Sequence, residues 1–208
     1  MTCHLNEKRI QQVSRIGIYA GTFDPVHAGH VTFALQSLQA AKLDKVYFLP
    51  ERRPRAKQQV EHYGHRVAML KKALKPHPQC DVMDLVDVNF SIERTLPFLE
   101  KKFEGAELVF MFGSDVVDGM ADWPNADRLL KGGELVIGLR SQHDRQEIHA
   151  AVEAWPQKPK AVIIFDSFAP DVSSGKVRDA LRARQPAEGL LKSVERYSNN
   201  NWLYVSLA

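Results

Sequence analysis

The sequence predicts an α/β fold: a doubly wound parallel sheet with helices on both faces and a small helical C-terminal segment. Two observations carry that expectation. Short apolar runs recur at residues 16–20, 45–49, 82–86, 108–112, 135–139 and 161–165. Each has the length of a strand buried on both faces and is rich in Val, Ile, Leu or Phe. Between the runs lie segments of helical spacing, and strands alternating with helices imply a parallel sheet.

Taken in order, the run at 16–20 leads into a turn and then a helix with the apolar stripe Val31, Ala34, Leu35, Leu38 and Ala41. The run at 45–49 is followed by the basic stretch Glu51-Arg52-Arg53-Pro54-Arg55-Ala56-Lys57, and then by a helix striped with Val67, Leu70 and Leu74. The remaining four runs follow, separated by helix-length segments. Beyond the last of them no strand-like run occurs, and the chain reads as helical. Ligands of such sheets bind outside the carboxyl ends of the strands, near the point where strand order reverses. Chemistry is therefore sought just after each strand.

A length of 208 residues suits one domain. We expect a polar N-terminal extension over 1–15 and one domain over 16–208. With 44% apolar and 25% charged residues, the composition excludes a disordered or fibrous chain. A formal charge of +3 implies no nucleic-acid partner by itself. Cys3 and Cys80 form no metal-type pair, and residues 1–15 hold no apolar signal core. No run approaches the length of a membrane span. A cytoplasmic protein with no membrane partner is the expectation.

The first run ends on Gly21-Thr22-Phe23-Asp24-Pro25-Val26-His27-Ala28-Gly29-His30. Gly21 and Pro25 shape a turn, and Gly29 allows a close approach to the backbone. His27 and His30 are three apart at a helix start, so both can point the same way. With the helix dipole they would form a polyphosphate site. Two solvated histidines in a turn, or a metal pair completed by Asp24, are the other readings of the bare pair.

The whole string resembles the signature of the His-x-Gly-His nucleotidyltransferases, which transfer a nucleotidyl group from ATP or CTP to a phosphate and release pyrophosphate. A second family motif is matched by Val172-Ser173-Ser174-Gly175-Lys176-Val177-Arg178, with Gly175 standing where the family has a hydroxyl. Without the first motif, Ser173 and Ser174 read as a helix cap and Arg178 as a surface charge. Within the superfamily the chain resembles the bacterial nicotinate-nucleotide adenylyltransferases from about Ile16 to Tyr204. Gly113-Ser114-Asp115 matches the family's Gly-Ala/Ser-Asp, and Trp123 has the spacing of its pyridine-stacking tryptophan. Arg140 opens a degraded Arg-Pro-Gly, with Ser141 and Gln142 in the last two places. His65-Arg66 and the tail from Ser193 to Tyr204 also resemble family segments. Ala56 replaces the histidine of the family's Pro-Pro-His-Lys, and the segment before Thr95 is one residue longer.

The resemblance implies a Rossmann-like fold and adenylyl transfer from ATP to nicotinate or nicotinamide mononucleotide, in NAD biosynthesis. Its catalytic residues would be His30, His27 and Arg178. Gly21, Thr22, Phe23, His27, His30, Gly113, Asp115, Ser173, Ser174 and Arg178 would bind ATP. Lys57, Thr95, Trp123 and Arg140 would bind the acceptor. Mg²⁺ would be held mainly by the ATP phosphates, with no protein ligand. ATP and a mononucleotide are the expected partners, and a homo-oligomer stays open. Another phosphorylated acceptor such as phosphopantetheine, or a non-catalytic ATP-binding regulatory protein, is the alternative. Taken alone, Trp123 would be a core staple, Asp115 a helix cap and Lys57 a solvated loop charge. His62 and His65 read as surface histidines, and His4, His77, His143 and His149 carry no functional signal.

Overall fold

The computed structural model describes residues 13–55, 57, 59–85, 87–141, 143–169 and 171–205. The first part of the expected extension, with Cys3 and His4, lies outside the described residues, as do Ala56, Val86 and Gln142. In chain order the elements are β1 (Arg15–Gly21), α1 (Ala28–Ala40), β2 (Lys45–Pro50), α2 (Tyr63–Leu74), β3 (Cys80–Val82), α3 (Ile92–Lys102) and β4 (Glu107–Gly113). A 3₁₀ turn (Ser114–Val116) leads to α4 (Val117–Met120) and α5 (Ala126–Gly132). β5 (Glu134–Leu139), α6 (Arg145–Ala154), β6 (Ala161–Asp166), α7 (Ser174–Arg182) and α8 (Lys192–Asn200) complete the described chain.

The six strands are parallel and ordered β3-β2-β1-β4-β5-β6. This is the doubly wound arrangement expected, and its order reverses between β1 and β4. Successive side chains of each strand point to opposite faces, so two apolar layers form. One gathers Ile18, Leu49, Phe110, Leu129 and Ile137 under α3, α5 and α6. The other gathers Phe23, Ala34, Phe48, Met69, Met111 and Val194 under α1, α2 and α8.

Three expectations need correction. The strand expected at 82–86 is β3, which runs only from Cys80 to Val82. Met83 still donates its N–H to the Phe48 carbonyl at 2.9 Å. The next rung would need an N–H from Pro50, which has none. The helix stripes hold at Val31, Ala34, Leu38, Ala41, Leu70 and Leu74 but not throughout. Leu35 and Val67 are only partly buried, whereas Phe33, Met69 and the guanidinium-bearing Arg66 are fully covered. Finally, Arg15 belongs to β1 and not to a polar extension. Its guanidinium bridges Glu107 and Glu134 at the amino ends of β4 and β5, and Lys160 pairs with the same two carboxylates at 2.8 and 3.3 Å. This network closes the end of the sheet opposite the strands' carboxyl ends. No helix among the described residues is long and apolar enough to cross a membrane.

Candidate active site

The ten-residue string joins β1 to α1, and its side chains divide between core and cleft. Phe23 takes a left-handed backbone conformation (φ 51°). That turns its ring inward, where it is 2% exposed and packs against Tyr19, Phe48 and the edge of His30. Phe23 was expected to meet ATP; its side chain instead backs the imidazole. The two histidine rings lie 3.7 Å apart, centroid to centroid. The His27 N–H donates to His30 Nδ1 at 3.2 Å. A neutral His30 therefore carries its proton on Nε2, the outer nitrogen. Burial, then the nearby Arg140, pushes the His27 pKa down to about 3. Burial also holds His30 well below its usual range, assisted by His27, Arg140 and Lys57. Both rings are uncharged donors at neutral pH. The buried His27 Nδ1 has no partner within the chain. Gly29 is what lets this ring lie so close, since a Cβ there would sit 3.0 Å from His27 Cε1. The Ala28 N–H at the start of α1 donates to the Gly189 carbonyl at 2.8 Å.

The second motif lies against the first. Ser173 caps α7, its hydroxyl accepting from the Lys176 N–H at 3.2 Å. Ser174 donates to the Pro25 carbonyl at 3.0 Å, and Arg178 Nη1 donates to the Asp24 carbonyl at 2.6 Å. The cap reading thus holds for Ser173 alone, while Ser174 and Arg178 stitch together two strings far apart in sequence. The Ser174 proton is spent on Pro25. Arg178 Nε is buried without a partner in the chain. Asp24, which the sequence offered only as a metal partner for the two histidines, is 3% exposed and accepts the Tyr204 hydroxyl at 2.7 Å and the Glu61 N–H at 3.3 Å.

Beside the histidines a narrow cleft of about 30 Å³ is lined by Tyr19, His27, His30, Gly113, Gly138 and Arg140, among others. Asp115 folds back over Gly113, where a Cβ would sit 2.3 Å from its carboxylate oxygen, and it pairs with Arg140 Nε at 3.2 Å. Ser114 accepts the Arg140 N–H at 3.0 Å and meets His143 Nδ1 at 2.7 Å. Arg140 was expected beside the acceptor. It lines the histidine cleft instead, because it leaves β5, which lies beyond β4 and away from the β2 loop.

The larger cavity, about 520 Å³, opens on the other side of β1 and is lined by Ala20, Gly21, Thr22, Arg55, Lys57, Phe112 and Trp123 with the start of α3. Side-chain alternation at the end of β1 explains the split: Tyr19 faces one space and Ala20 the other. Gly21 and Thr22, expected on the ATP side, border this second space. Lys57 donates to the Thr22 hydroxyl at 2.9 Å. Of the four positive charges in the basic stretch, Arg55 and Lys57 line the cavity. Arg52 lies 4.3 Å over the Tyr63 ring and pairs with Asp84. Trp123 is half-buried, with its edge on Phe112 at 5.6 Å and part of the residue in the cavity wall. The same residue packs on the core and borders the cavity. Thr95 is fully buried, its hydroxyl accepting the Ser91 N–H at 3.1 Å, so Ser91, Ile92 and Glu93 present α3 to the cavity in its place.

Sequence reasoning also missed Arg66. Its 1%-exposed guanidinium donates to the carbonyls of Thr22, Glu51, Arg52 and Glu61, tying the ends of β1 and β2 to the basic loop. The string His65-Arg66 was its only signal. His65 meets the Tyr197 hydroxyl at 2.9 Å, as a packing contact between α2 and α8. Among the described residues no group of three His, Cys, Asp or Glu side chains is placed to hold a metal.

The cytidylyltransferase-like family model matches residues 18–180. A curated relative, the probable nicotinate-nucleotide adenylyltransferase of Coprothermobacter proteolyticus, is 34% identical over 197 residues, covering 92% of this chain and 95% of the relative. The nicotinate-nucleotide adenylyltransferase of Bacillus subtilis is 29% identical over 202 residues, covering 93% and 100%. The solved Plasmodium falciparum nicotinic acid mononucleotide adenylyltransferase complexed with NaAD shares the fold, with a TM-score of 0.74 at 18% identity and coverage of 92% and 97%. Both motifs, the sheet that positions them and these likenesses agree: the chain belongs to the cytidylyltransferase-like family and, within it, to the nicotinate-nucleotide adenylyltransferases.

Proposed function

We propose that the protein transfers the adenylyl group of ATP to nicotinate mononucleotide and releases pyrophosphate. A phosphate oxygen of the acceptor attacks the α-phosphorus of ATP. The bond from that phosphorus to the β-phosphate oxygen breaks, and the electron pair leaves with pyrophosphate. No covalent enzyme intermediate is needed, so the protein's work is positioning and charge stabilisation. The observation that carries this reading is the His27 N–H to His30 Nδ1 bond. It leaves the proton of a neutral His30 on Nε2, as a donor for charge that grows on the phosphates.

In this reading His27 and Arg178 complete the phosphate cradle, and the unpartnered His27 Nδ1 and Arg178 Nε suit an anion. Ser173 and Ser174 serve mainly to hold α7 against the first motif. Gly113 lets Asp115 reach the ribose side of the cleft, beside Arg140. Lys57 and Arg55 supply positive charge for an acceptor phosphate, and Trp123 a face for its pyridine ring. Mg²⁺ would arrive on the triphosphate and neutralise its charge. Asp24 is held by Tyr204, Glu61 and Arg178, and Asp115 pairs with Arg140. The reading also includes a cytoplasmic setting, in keeping with the free, buried Cys80.

The test is pyrophosphate release from ATP and Mg²⁺ with nicotinate mononucleotide, nicotinamide mononucleotide or phosphopantetheine. Fastest turnover with the first is expected. A higher kcat/KM with either of the others replaces the acceptor. ATP binding without turnover on any acceptor replaces the enzyme by a nucleotide-binding protein.

A further inference from the structure

Asp24 is the point where three separate parts of the chain meet at one buried carboxylate. Its Oδ1 accepts the Tyr204 hydroxyl at 2.7 Å, from 180 positions away. Its Oδ2 accepts the Glu61 N–H at 3.3 Å and faces Arg178 Nη1 at 3.8 Å. The same Nη1 is held at 2.6 Å by the Asp24 carbonyl, not by its carboxylate. Reaching Asp24 requires an unusual backbone: Trp202 and Tyr204 both adopt left-handed conformations, with φ 55° and 60°. Residues with a Cβ avoid that region unless packing holds them there. Here Trp202 is 80% exposed while Tyr204 is 8% exposed, so the turn carries the tyrosine inward and leaves the tryptophan outside.

We infer that Tyr204 is a positioning residue for Arg178: its hydroxyl occupies the Asp24 carboxylate and so keeps the guanidinium available to a phosphate. The physical reason is competition. A carboxylate with two hydrogen-bond donors has part of its charge satisfied, and it draws less on a neighbouring cation. Deprived of the tyrosine proton, Asp24 turns to the nearest remaining cation. That cation is Arg178, whose strong bidentate preference for carboxylate is the same as its preference for phosphate. The tail thereby acts on ATP without touching it. This inference rests on the reading that Arg178 meets the ATP phosphates.

The experiment is equilibrium titration of Mg²⁺-ATP, without acceptor, into the full-length wild type, Tyr204→Phe, Arg178→Ala and the double variant. Tyr204→Phe keeps the ring and is expected to weaken ATP binding about 3–30-fold, within the range of coupling between interacting residues. In the Arg178→Ala background the same change should move affinity less than about 2-fold, because its target is gone. Adding Asp24→Asn to Tyr204→Phe should restore affinity, since the amide has no charge to compete for Arg178. Equal losses in both backgrounds, or no rescue by Asp24→Asn, overturn the inference. Asp24→Asn alone also serves if Tyr204→Phe does not fold: affinity at or above wild type supports the competition, and a loss refutes it. Wild-type protein that binds no ATP defeats the reading of the site itself. Binding that depends on Arg178 but not on Tyr204 defeats only the role of Tyr204.

Discussion

The ring of His27 lies 3.7 Å from the ring of His30, and the N–H of the first residue fixes the proton of the second. Two imidazoles so close cannot both be charged without repulsion, and burial already holds them neutral. The pair is a neutral donor set at the start of α1.

His30→Ala should lower kcat by roughly 10²–10⁴-fold, as when one preorganised group is removed from a transition state. A contact that strengthens during the reaction appears in kcat more than in ATP affinity. Steady-state kinetics with the best acceptor, beside ATP titration, checks the split. Wild-type turnover in a folded variant removes His30 from the mechanism.

Acid should destabilise the fold through these rings. The His27 pKa is about 3 in the folded protein against an ordinary 6.5. Between those values the unfolded chain binds a proton that the native state refuses. Its stabilising contribution is therefore complete above pH 6.5 and falls as pH drops, by at most about 1.4 kcal/mol per pH unit. Melting temperatures from pH 7.5 to 5.5 should decline more steeply for wild type than for His27→Asn. Equal slopes contradict a buried neutral His27.

Trp123→Ala should raise the acceptor KM about 10-fold or more, while the KM for ATP stays near wild type. Because the indole also packs on Phe112, we expect a stability loss of about 1–3 kcal/mol, below that of a fully buried tryptophan. Kinetics with both substrates and a melting curve separate the two roles. An unchanged acceptor KM leaves Trp123 as packing alone.

Two glycines should behave oppositely. A Cβ at Gly113 would collide with the Asp115 carboxylate at 2.3 Å, so Gly113→Ala should displace the Asp115–Arg140 pair and weaken ATP binding about 10-fold. At Gly175 the nearest atom is the Ser173 hydroxyl, 3.8 Å away. Gly175→Ser, which restores the family's hydroxyl, should fold normally and gain about 0.3–0.5 kcal/mol from helix propensity. Calorimetric titration and melting of both variants test the contrast. A destabilised Gly175→Ser protein refutes the open space assigned there.

The sequence by itself determined the alternation of strand and helix, and that the ten-residue string follows the first strand. Both are local: apolar runs, helical spacing and a turn of Gly and Pro are written in neighbouring residues. Its identities also named His27, His30, Lys57 and Trp123, which line the two cavities, and Arg178, which donates to the Asp24 carbonyl. Only the tertiary structure decided sidedness. Whether Thr22 or Arg140 meets one cavity or the other depends on strand order and on which way the last residues of β1 and β5 point. It also decided the long-range bonds, Ser174 to Pro25 and Tyr204 to Asp24, which span 149 and 180 positions and leave no periodic trace. Arg66 was hidden for a related reason. A charged residue in a helix reads as solvated, until folding brings four backbone carbonyls around it and makes burial the better state.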